Sequence, residues 1–362
     1  ELLHEHLMGN QGFQGQSSLL YHLRPPTALK AVEPMAPIHL EEAEPSTPRP
    51  RHLRTSGLPK GGSPTLDRQP LLFNEDVALW SVRPDRQDEH FYRNAIADEL
   101  VYVAEGEGEL ESPFGTLSIT AGDQLVLHRG IVHRYRLKSG KPARLLIVES
   151  RSYLRFPDRY RSELGQLLEG APFSERDIQR PGKLVTHDEP GDHAVVVRQE
   201  RALTRMVMAH HPCDVVGWDG YYYPWAFNIH DFEPITGTIH QPPPIHQILQ
   251  GDSHVVCNFC PRPYDFHPDA VPAPYNHSNV MTDEVLYYAS SEFMSRKGIE
   301  FGSITLHPDG LPHGPQPGRY EASIGQERTE ELAVMIDAFR PLRVTKEAAA
   351  VEDVDYLRSW ID

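Results

Sequence analysis

Cysteines and long apolar runs are scarce in this sequence, and both shortages restrict the class of protein. Its 362 residues include only three cysteines, Cys213, Cys257 and Cys260, which are too few for a disulfide scaffold. Their odd number also argues against an oxidising compartment. The sequence has no run of eighteen apolar residues and no cationic leader before an apolar stretch, so it predicts neither a membrane anchor nor a secretion signal. We therefore expect a soluble, cytoplasmic protein.

Basic residues are outnumbered and form no stripe along the chain. The formal net charge is −16, with 35 Lys and Arg against 51 Asp and Glu. Binding to nucleic acid requires clustered cations that neutralise phosphates, so we expect no nucleic acid partner. Cys257 and Cys260 form a Cys-x-x-Cys pair in HVVCNFCPR that could hold zinc or act in redox chemistry. No second pair accompanies it, however, and its alternating flanks indicate a strand.

Histidine and proline are abundant, with 20 and 33 residues. The prolines disfavour long helices. From residue 77 onward, short runs of Val, Leu, Ile and Tyr are separated by Gly, Pro and Asp turns roughly every ten residues, which is typical of all-β sandwiches and barrels. Short helices are expected in SERDIQ, in RTEELAVMIDAF and in the C-terminal EDVDYLRSWID. The first 75 residues, rich in Pro, Gly and Ser, indicate an irregular arm.

Two segments of the chain resemble each other. NAIADELVYVAEGEGEL and NVMTDEVLYYASSEFMS each place an Asn five residues before a Glu, Glu99 or Glu284, that opens an apolar strand. Downstream, GDQLVLHRGIVHRY and GSITLHPDGLPHGP each place a histidine, His133 or His313, eleven residues after the first Gly. Two anchors in the same order indicate an internal repeat.

These anchors resemble the cupin pattern, in which a motif with His and Glu precedes a second histidine motif on an antiparallel jelly roll. The expected fold is all-β, a tandem of two cupin barrels with few short helices and an irregular N-terminal arm. The implied divisions are an arm at 1–75, a first cupin at 76–200, a second and catalytic cupin at 201–345, and a helical tail at 346–362.

The second copy keeps a candidate set of metal ligands, His277, Glu284 and His313. Two imidazoles and one carboxylate can hold non-haem Fe(II) on one face and leave positions open for substrate and oxygen, although zinc and manganese accept the same donors. Asp283 would point to the opposite face of the strand, so the register of the repeat selects Glu284. The first copy has Tyr92 in place of the first histidine, and its metal site should be degenerate.

The chain is similar to the homogentisate 1,2-dioxygenase family, and more so to its bacterial branch. The resemblance is carried, in order, by SSLLYHLRPP, VVGWDGYYYPWAFNIHDFEPITGTIHQPPP, PYNHSN, MTDEVLYY and GSITLHPDGLPHGP. It implies that His277, Glu284 and His313 bind Fe(II). It also implies a ring-cleaving dioxygenase that uses O2 to open homogentisate to maleylacetoacetate, a step of tyrosine and phenylalanine catabolism.

The resemblance further implies two catalytic histidines beside the metal. One is His240 in GTIHQPPPIHQ, as a base or hydrogen-bond partner for a ring hydroxyl, and the other is His307, six residues before the last ligand. Asn279 would hold a substrate carboxylate.

Two positions depart from the family. Phe293 replaces a tyrosine that contacts the substrate, and Ser278 replaces an arginine. His246 and Tyr287 are candidates to line the altered pocket. The ring substituents are therefore less narrowly indicated than the iron chemistry.

Several alternatives remain open. Gentisate or a substituted homogentisate could be the substrate, although gentisate enzymes use three histidines and no Glu. A bicupin that binds metal without turnover, or a zinc-dependent cupin isomerase, is a further possibility, which His240 and His307 argue against because a pure binder needs no paired bases. The expected partners are a small aromatic substrate, O2 and other copies of the chain in a homo-oligomer, with no membrane.

Overall fold

The computed structural model describes residues 2–44, 47–291 and 293–361. Strands dominate these ranges. In the first part of the chain they are β1 (His4–Gln11), β2 (Gln14–His22), β3 (Leu29–Pro37), β4 (Arg51–Arg54), β5 (Gln69–Phe73), β6 (Val77–Val82), β7 (Phe91–Asn94), β8 (Asp98–Glu105), β9 (Gly108–Ser112), β10 (Gly115–Ile119), β11 (Asp123–Leu127), β12 (Arg134–Leu137) and β13 (Arg144–Ser150). In the second part they are β14 (Ile178–Gln179), β15 (Pro190–Arg198), β16 (Ala202–His210), β17 (Val215–Gly220), β18 (Trp225–Asn228), β19 (Gln247–Gln250), β20 (His254–Phe259), β21 (Arg262–Pro263), β22 (Asp283–Tyr288), β23 (Ser303–His307), β24 (Arg328–Thr329), β25 (Ala333–Ala338) and β26 (Arg343–Val344).

Helices are short throughout the described part of the chain. The α-helices are α1 (Arg319–Ser323) and α2 (Lys346–Ala349). The 3-10 segments are Thr55–Gly57, Asp158–Tyr160, Glu175–Asp177, Ile229–Asp231, Pro243–His246 and Tyr356–Trp360. None of the helices in these ranges is long and apolar enough to cross a membrane. The expectation of an all-β tandem cupin with few short helices is confirmed.

Each half of the chain is built on one large, mainly antiparallel sheet. The first has eight strands in the order β14-β18-β11-β8-β13-β6-β5-β26, and the second has six in the order β19-β20-β25-β22-β23-β4. A four-stranded sheet, β3-β16-β15-β7, and a three-stranded sheet, β10-β9-β12, complete the first half. A further hairpin sheet, β1-β2-β17, lies beside them.

The two large sheets pack against each other through a shared apolar core. On β8, Leu100 and Tyr102 belong to this core, and on β22 so do Val285 and Tyr287. The alternate residues of the same strands face the barrel interiors, because successive side chains of a strand point to opposite faces. Both strands are therefore buried on both faces, which explains their nearly continuous apolar sequences.

The repeat observed in the sequence is also present in three dimensions. Tyr102 and Tyr287, each three residues after the glutamate of its copy, meet edge to face with ring centroids 5.8 Å apart. Nearby, Gln124 and Asn258 exchange two amide hydrogen bonds of 2.7 and 3.0 Å in the buried interface. Satisfied polar pairs of this kind fix one relative placement of two packed sheets.

The expectation of an irregular N-terminal arm is wrong, because residues 1–75 contribute β1 to β5. The strands β1, β2 and β3 carry mixed polar sequences such as HEHLMGNQ and are half-exposed. They therefore lack the apolar runs by which a buried strand is recognised.

The expected helix in RTEELAVMIDAF is also wrong, because this segment forms β24 and β25. β25 is a central strand between β20 and β22, and a short apolar run does not by itself distinguish a helix from a strand. The other two expected helices are 3-10 segments, Glu175–Asp177 and Tyr356–Trp360.

The sheets do not follow the expected division of the chain. The boundary between residues 200 and 201 falls inside the hairpin of β15 and β16. β18 pairs with β11 of the first sheet, whereas β4, from the N-terminal segment, pairs with β23 of the second. The two halves are therefore interlocked through strands contributed from outside their expected limits.

Candidate metal centre

Glu284 lies at the start of β22 with its side chain on the face that lines the second barrel. Asp283 points the other way, and its carboxylate accepts backbone hydrogen bonds from Asp309 at 2.9 Å and Leu342 at 2.7 Å. Asp283 thus tethers two loops, whereas Glu284 is free to act inside the barrel. This arrangement agrees with the choice of Glu284 as the candidate ligand.

His277 and His313 are brought together by their backbones. They form an antiparallel bridge with two N–H···O bonds of 2.9 Å, and their ring centroids are 4.3 Å apart. Nδ1 of His277 lies 3.2 Å from the Tyr275 carbonyl oxygen, and Nδ1 of His313 lies 3.1 Å from that of Leu311. Because a carbonyl can only accept, these contacts favour a proton on Nδ1 and leave the Nε2 lone pairs available for a metal.

Three electron-pair donors converge at this point. Nε2 of His277 and Nε2 of His313 lie 3.5 and 3.4 Å from Oε2 of Glu284, and one donor atom from each residue lies within 4.8 Å of the others. Donors crowded in this way require protons or a cation among them. Two imidazoles and one carboxylate on one side of an open cavity fit a mononuclear Fe(II), and the same donors also suit zinc or manganese.

Histidines dominate the electrostatics of Glu284. Burial alone would raise the pKa of this carboxyl, but hydrogen bonds from His277, His307 and His313, the first and last donated from Nε2 when no metal is bound there, hold it well below its usual range. The carboxylate is therefore ionised, as a metal ligand must be.

His307 lies behind Glu284 and does not line the cavity described below. Its Nδ1 is 2.8 Å from Oε1 of Glu284, its ring stacks on His313 at 4.6 Å, and it is fully buried. Burial lowers its pKa to about 4 despite the opposing effect of Glu284, so the neutral ring donates its Nδ1 proton to the carboxylate. The structure thus gives His307 the geometry of a positioning residue, not that of a base acting on substrate.

Asn279 also holds the carboxylate. Its Nδ2 donates to Oε2 of Glu284 at 3.3 Å, and its backbone carbonyl accepts a hydrogen bond from Gly310 at 2.7 Å. Asn279 lines the cavity as well, so it remains within reach of a substrate group.

A cavity of about 570 Å³ opens beside two of the candidate ligands, His277 and Glu284. It is mainly apolar with a few polar groups, as expected for a small-molecule site. The wall includes His277 and Glu284 together with four other residues singled out from the sequence, His240, His246, Asn279 and Phe293.

The two non-ligand histidines of this wall that were expected from the sequence differ in environment. His240 lies at the exposed rim, where its Nδ1 is 3.2 Å from Oδ2 of Asp265. The carboxylate favours a proton on Nδ1 and leaves Nε2 as a base. His246 is stacked on Phe259 at 4.6 Å, and burial, reinforced by the charge of Arg262, lowers its pKa to about 3. His246 is therefore a neutral, packed part of the wall.

The assignment of Tyr287 to the pocket is wrong. Tyr287 lies three residues after Glu284, and an odd spacing along a strand reverses the face. Its ring is fully buried in the core between the two sheets, against Tyr102. The residues of β22 that share the face of Glu284 are Leu286 and Tyr288.

Among the ionisable residues of the cavity wall that the sequence analysis missed are Asp337 and Arg296. Asp337 on β25 pairs directly across from Glu284, and its Oδ1 is buried without a hydrogen-bond partner. Burial, together with the charge of Glu284, raises the pKa of Asp337 to about 8. Arg296 donates from Nη1 to the carbonyl oxygens of Ser295 and Gly314, and it forms no ion pair with an Asp or Glu among the described residues. Only the strand register could have revealed Asp337, since its segment was interpreted as a helix.

The first barrel repeats this architecture with a guanidinium at its centre. Tyr92 and His133 form the equivalent backbone bridge, and Arg68 donates to both oxygens of Glu99 at 2.8 and 3.0 Å. Burial alone would raise the pKa of Glu99, but Arg68 lowers it to about 2. Tyr92 adds a hydrogen bond of 3.2 Å from its hydroxyl. Arg68 thus occupies the place that a metal would need.

A second acid–histidine group lies outside the barrel centres and does not suit a metal. It consists of Glu111, His187 and His211. Oε2 of Glu111 is bound by Arg134 through two nitrogens, at 3.0 and 2.8 Å. Nδ1 of His211 accepts a hydrogen bond from the Cys213 amide, so the ring proton must sit on Nε2, the atom that faces the glutamate.

The cysteines belong to none of these groups in the described chain. All three are free and buried, and burial raises the pKa of the Cys257 and Cys260 thiols. Neither thiol has the anionic character that zinc binding or redox exchange requires.

The fold and the converging donors define a tandem-cupin protein with one candidate metal centre and one arginine-filled counterpart. A family model described as homogentisate 1,2-dioxygenase N-terminal matches residues 12–229. The chain belongs to the homogentisate 1,2-dioxygenase family, as the resemblance in the sequence implied.

Two relatives by sequence agree with this assignment. A provisionally named dioxygenase of Saccharolobus solfataricus is 40% identical over 363 residues, which cover 99% of this chain and 94% of the relative. The homogentisate 1,2-dioxygenase of Legionella pneumophila strain Corby is 28% identical over 320 residues, covering 83% and 71% of the two chains. Among solved structures, a cupin 2 conserved barrel domain protein from Leptotrichia buccalis matches with 10% identity and a TM-score of 0.36, covering 83% of this chain and 100% of its own.

We predict that Arg68→Met destabilises the protein by about 3–5 kcal/mol at pH 7, because it leaves Glu99 charged and buried. Since the folded pKa of Glu99 is depressed by Arg68, the stability that this pair contributes is present above pH 4.5 and is lost as the pH falls towards 2. The difference between wild type and Arg68→Met should therefore shrink across that window. Urea unfolding at a series of pH values measures it.

The matched control is the double variant Arg68→Met/Glu99→Gln, which removes both charges and should recover most of the lost stability. If the single and double variants were equally unstable at pH 7, the ion pair would not be the cause.

Proposed function

We propose that this protein is an Fe(II)-dependent dioxygenase that opens the aromatic ring of homogentisate to give maleylacetoacetate. The observation that carries the proposal is the convergence of His277, Glu284 and His313 on one side of an apolar cavity. Membership of the homogentisate 1,2-dioxygenase family supports it. When bound by these three residues, Fe(II) would supply open coordination positions and a path for electrons from the ring to O2.

The polar groups of the wall suit a hydroxylated aromatic acid. Arg296 offers a buried guanidinium without an acidic partner in the described chain, and a substrate carboxylate would complete it. Asn279, expected from the sequence to bind that carboxylate, has its amide on the same wall. Asp337 offers an unsatisfied oxygen that can accept a hydrogen bond from a ring hydroxyl.

We assign proton transfer to His240, at the rim of the cavity. A hydroquinone hydroxyl must lose its proton to become electron-rich, and His240, held by Asp265, can accept that proton at Nε2. His307 keeps Glu284 in place by donating to Oε1. The apolar side chains of Leu286, Phe293 and Met335 exclude water from the ring.

A substituted homogentisate or another hydroquinone is the second candidate substrate. The side chain of Phe293 lines the cavity where the family has a tyrosine. Phe293 can therefore pack against an apolar substituent of the ring but cannot form a hydrogen bond with a polar one. This change affects the preferred substituents and leaves the metal chemistry unaltered.

We predict that His277→Ala abolishes Fe(II)-dependent oxygen uptake and lowers bound iron at least tenfold, because it removes one of three ligands. The wild type is loaded with Fe(II) without oxygen, and uptake is then measured with homogentisate, gentisate and homoprotocatechuate. His187→Ala is the matched control, since it removes a histidine from the Glu111 group that does not suit a metal.

Iron content and uptake should be unchanged in His187→Ala. Full iron content in His277→Ala would refute the site, and a wild type that takes up no oxygen with any of the three compounds would refute the oxygenase proposal.

We predict that Arg296→Met lowers kcat/KM for homogentisate about 10- to 100-fold more than kcat/KM for its methyl ester. A charge-assisted hydrogen bond is worth about 1.5–3 kcal/mol, and only the acid can form one with a guanidinium. Arg296→Lys should restore part of the selectivity because the positive charge is kept. An equal loss with both substrates would mean that Arg296 only supports the fold through its contacts with Ser295 and Gly314.

A further inference from the structure

A second cavity, of about 370 Å³, lies in the first half of the chain beneath the hairpin of β1 and β2. It shares no lining residue with the candidate metal cavity. Its wall is mostly apolar and includes the rings of Phe114 and Tyr222 and the thioethers of Met206 and Met208. Among the described residues, no Asp or Glu lines this cavity. Its lining includes Arg93 and four other histidine or arginine side chains, His6, His22, Arg129 and His210.

Arg93 is the central polar group of this cavity. It is the third residue of β7, so its side chain points away from the barrel face on which Tyr92 and Asn94 contact Glu99. Its Nε is buried without a hydrogen-bond partner, and its Nη2 contacts only the sulfur of Met206, at 3.4 Å. Burial lowers the pKa of Arg93, and no carboxylate counteracts this effect. A partly buried guanidinium whose Nε lacks a partner and which meets no anion costs free energy, so an anion supplied from outside would be favoured there.

Asp214, an acid beside this cavity in the described chain, already has partners. Oδ1 of Asp214 lies 2.6 Å from Nδ1 of His22, and Oδ2 accepts a hydrogen bond of 2.9 Å from the Arg24 amide. Because Asp214 holds a proton on Nδ1 of His22, Nε2 of that ring can accept from Nδ1 of His6 at 3.3 Å. The chain of hydrogen-bonded histidines therefore ends at His6 on the cavity wall and does not neutralise the charge of Arg93.

We infer that this second cavity binds a small aromatic carboxylate, whose anionic group pairs with Arg93 and whose ring packs against Phe114, Tyr222 and the methionines. Carboxylate is favoured over phosphate because the guanidinium of Arg93 matches two carboxylate oxygens, whereas Arg129 already donates to the Arg151 carbonyl and His22 is engaged by Asp214. Aromatic rings and thioethers pack well against such a ligand. The site requires no metal, so it stands independently of the proposed dioxygenase reaction.

The seven methionines of the chain allow the two cavities to be observed separately. Met8, Met206 and Met208 line the second cavity, whereas Met294 and Met335 line the metal cavity. The metal-free protein, labelled with ¹³C at the methionine methyl groups, is titrated with 4-fluorophenylacetate and followed by NMR. We expect saturable shifts of the Met206 and Met208 signals, and none with the uncharged 4-fluorophenylacetamide.

Arg93→Met should abolish these shifts while the responses of Met294 and Met335 stay as in the wild type, and Arg93→Lys should retain weaker binding. The inference would be overturned if the Met206 and Met208 signals of the wild type did not shift, or if their shifts persisted in Arg93→Met. A change of oligomeric state in Arg93→Met without any loss of binding would also overturn it, because the cavity would then be closed by a second copy of the chain. If the probe does not bind in the metal cavity, only the signals of Met294 and Met335 stay unshifted, and the inference about the second cavity is still decided by Met206 and Met208.

Discussion

A carboxylate buried at the start of a central strand is the constraint around which both halves of this molecule are built. Glu99 and Glu284 open β8 and β22, the two strands that pack against each other through Tyr102 and Tyr287. An ionised carboxylate in such a place costs several kcal/mol unless a cation meets it. The two copies of the repeat meet this need for a cation in different ways.

In the first copy the cation belongs to the chain. Arg68 reaches Glu99 with two hydrogen bonds, and Tyr92 and Asn94 complete the coordination of the carboxylate. In the second copy histidines surround Glu284, and the proposed cation is a metal ion taken from solution. The same backbone bridge, Tyr92 with His133 and His277 with His313, therefore supports a closed structural centre in one barrel and a candidate catalytic centre in the other.

Two of the three candidate ligands could be found from the repeat in the sequence, whereas His277, whose counterpart is Tyr92, was indicated by the resemblance to the family. His313 and Glu284 occur at the same spacing as His133 and Glu99, and the repeat compares two copies that fold in the same way. Residues that reach the site through strand pairing could not be found in this manner. Asp337 approaches Glu284 because β25 pairs with β22, and that pairing depends on contacts far apart in the chain. Tyr287 was misplaced for a simpler reason, since three residues along a strand reverse the face.

The N-terminal segment shows that the apolar pattern of a sequence does not reveal half-exposed strands. The strands β1, β2 and β3 are half-exposed and polar, so their pairing is specified by partners and not by an apolar face. This weakly patterned segment nevertheless covers Arg93 and creates the second cavity. Arg93 and Asn94 are neighbours on β7, yet Asn94 serves the barrel centre and Arg93 serves the cavity. A strand that separates two chambers can thus place consecutive polar residues in different sites, because the pleat alternates their directions.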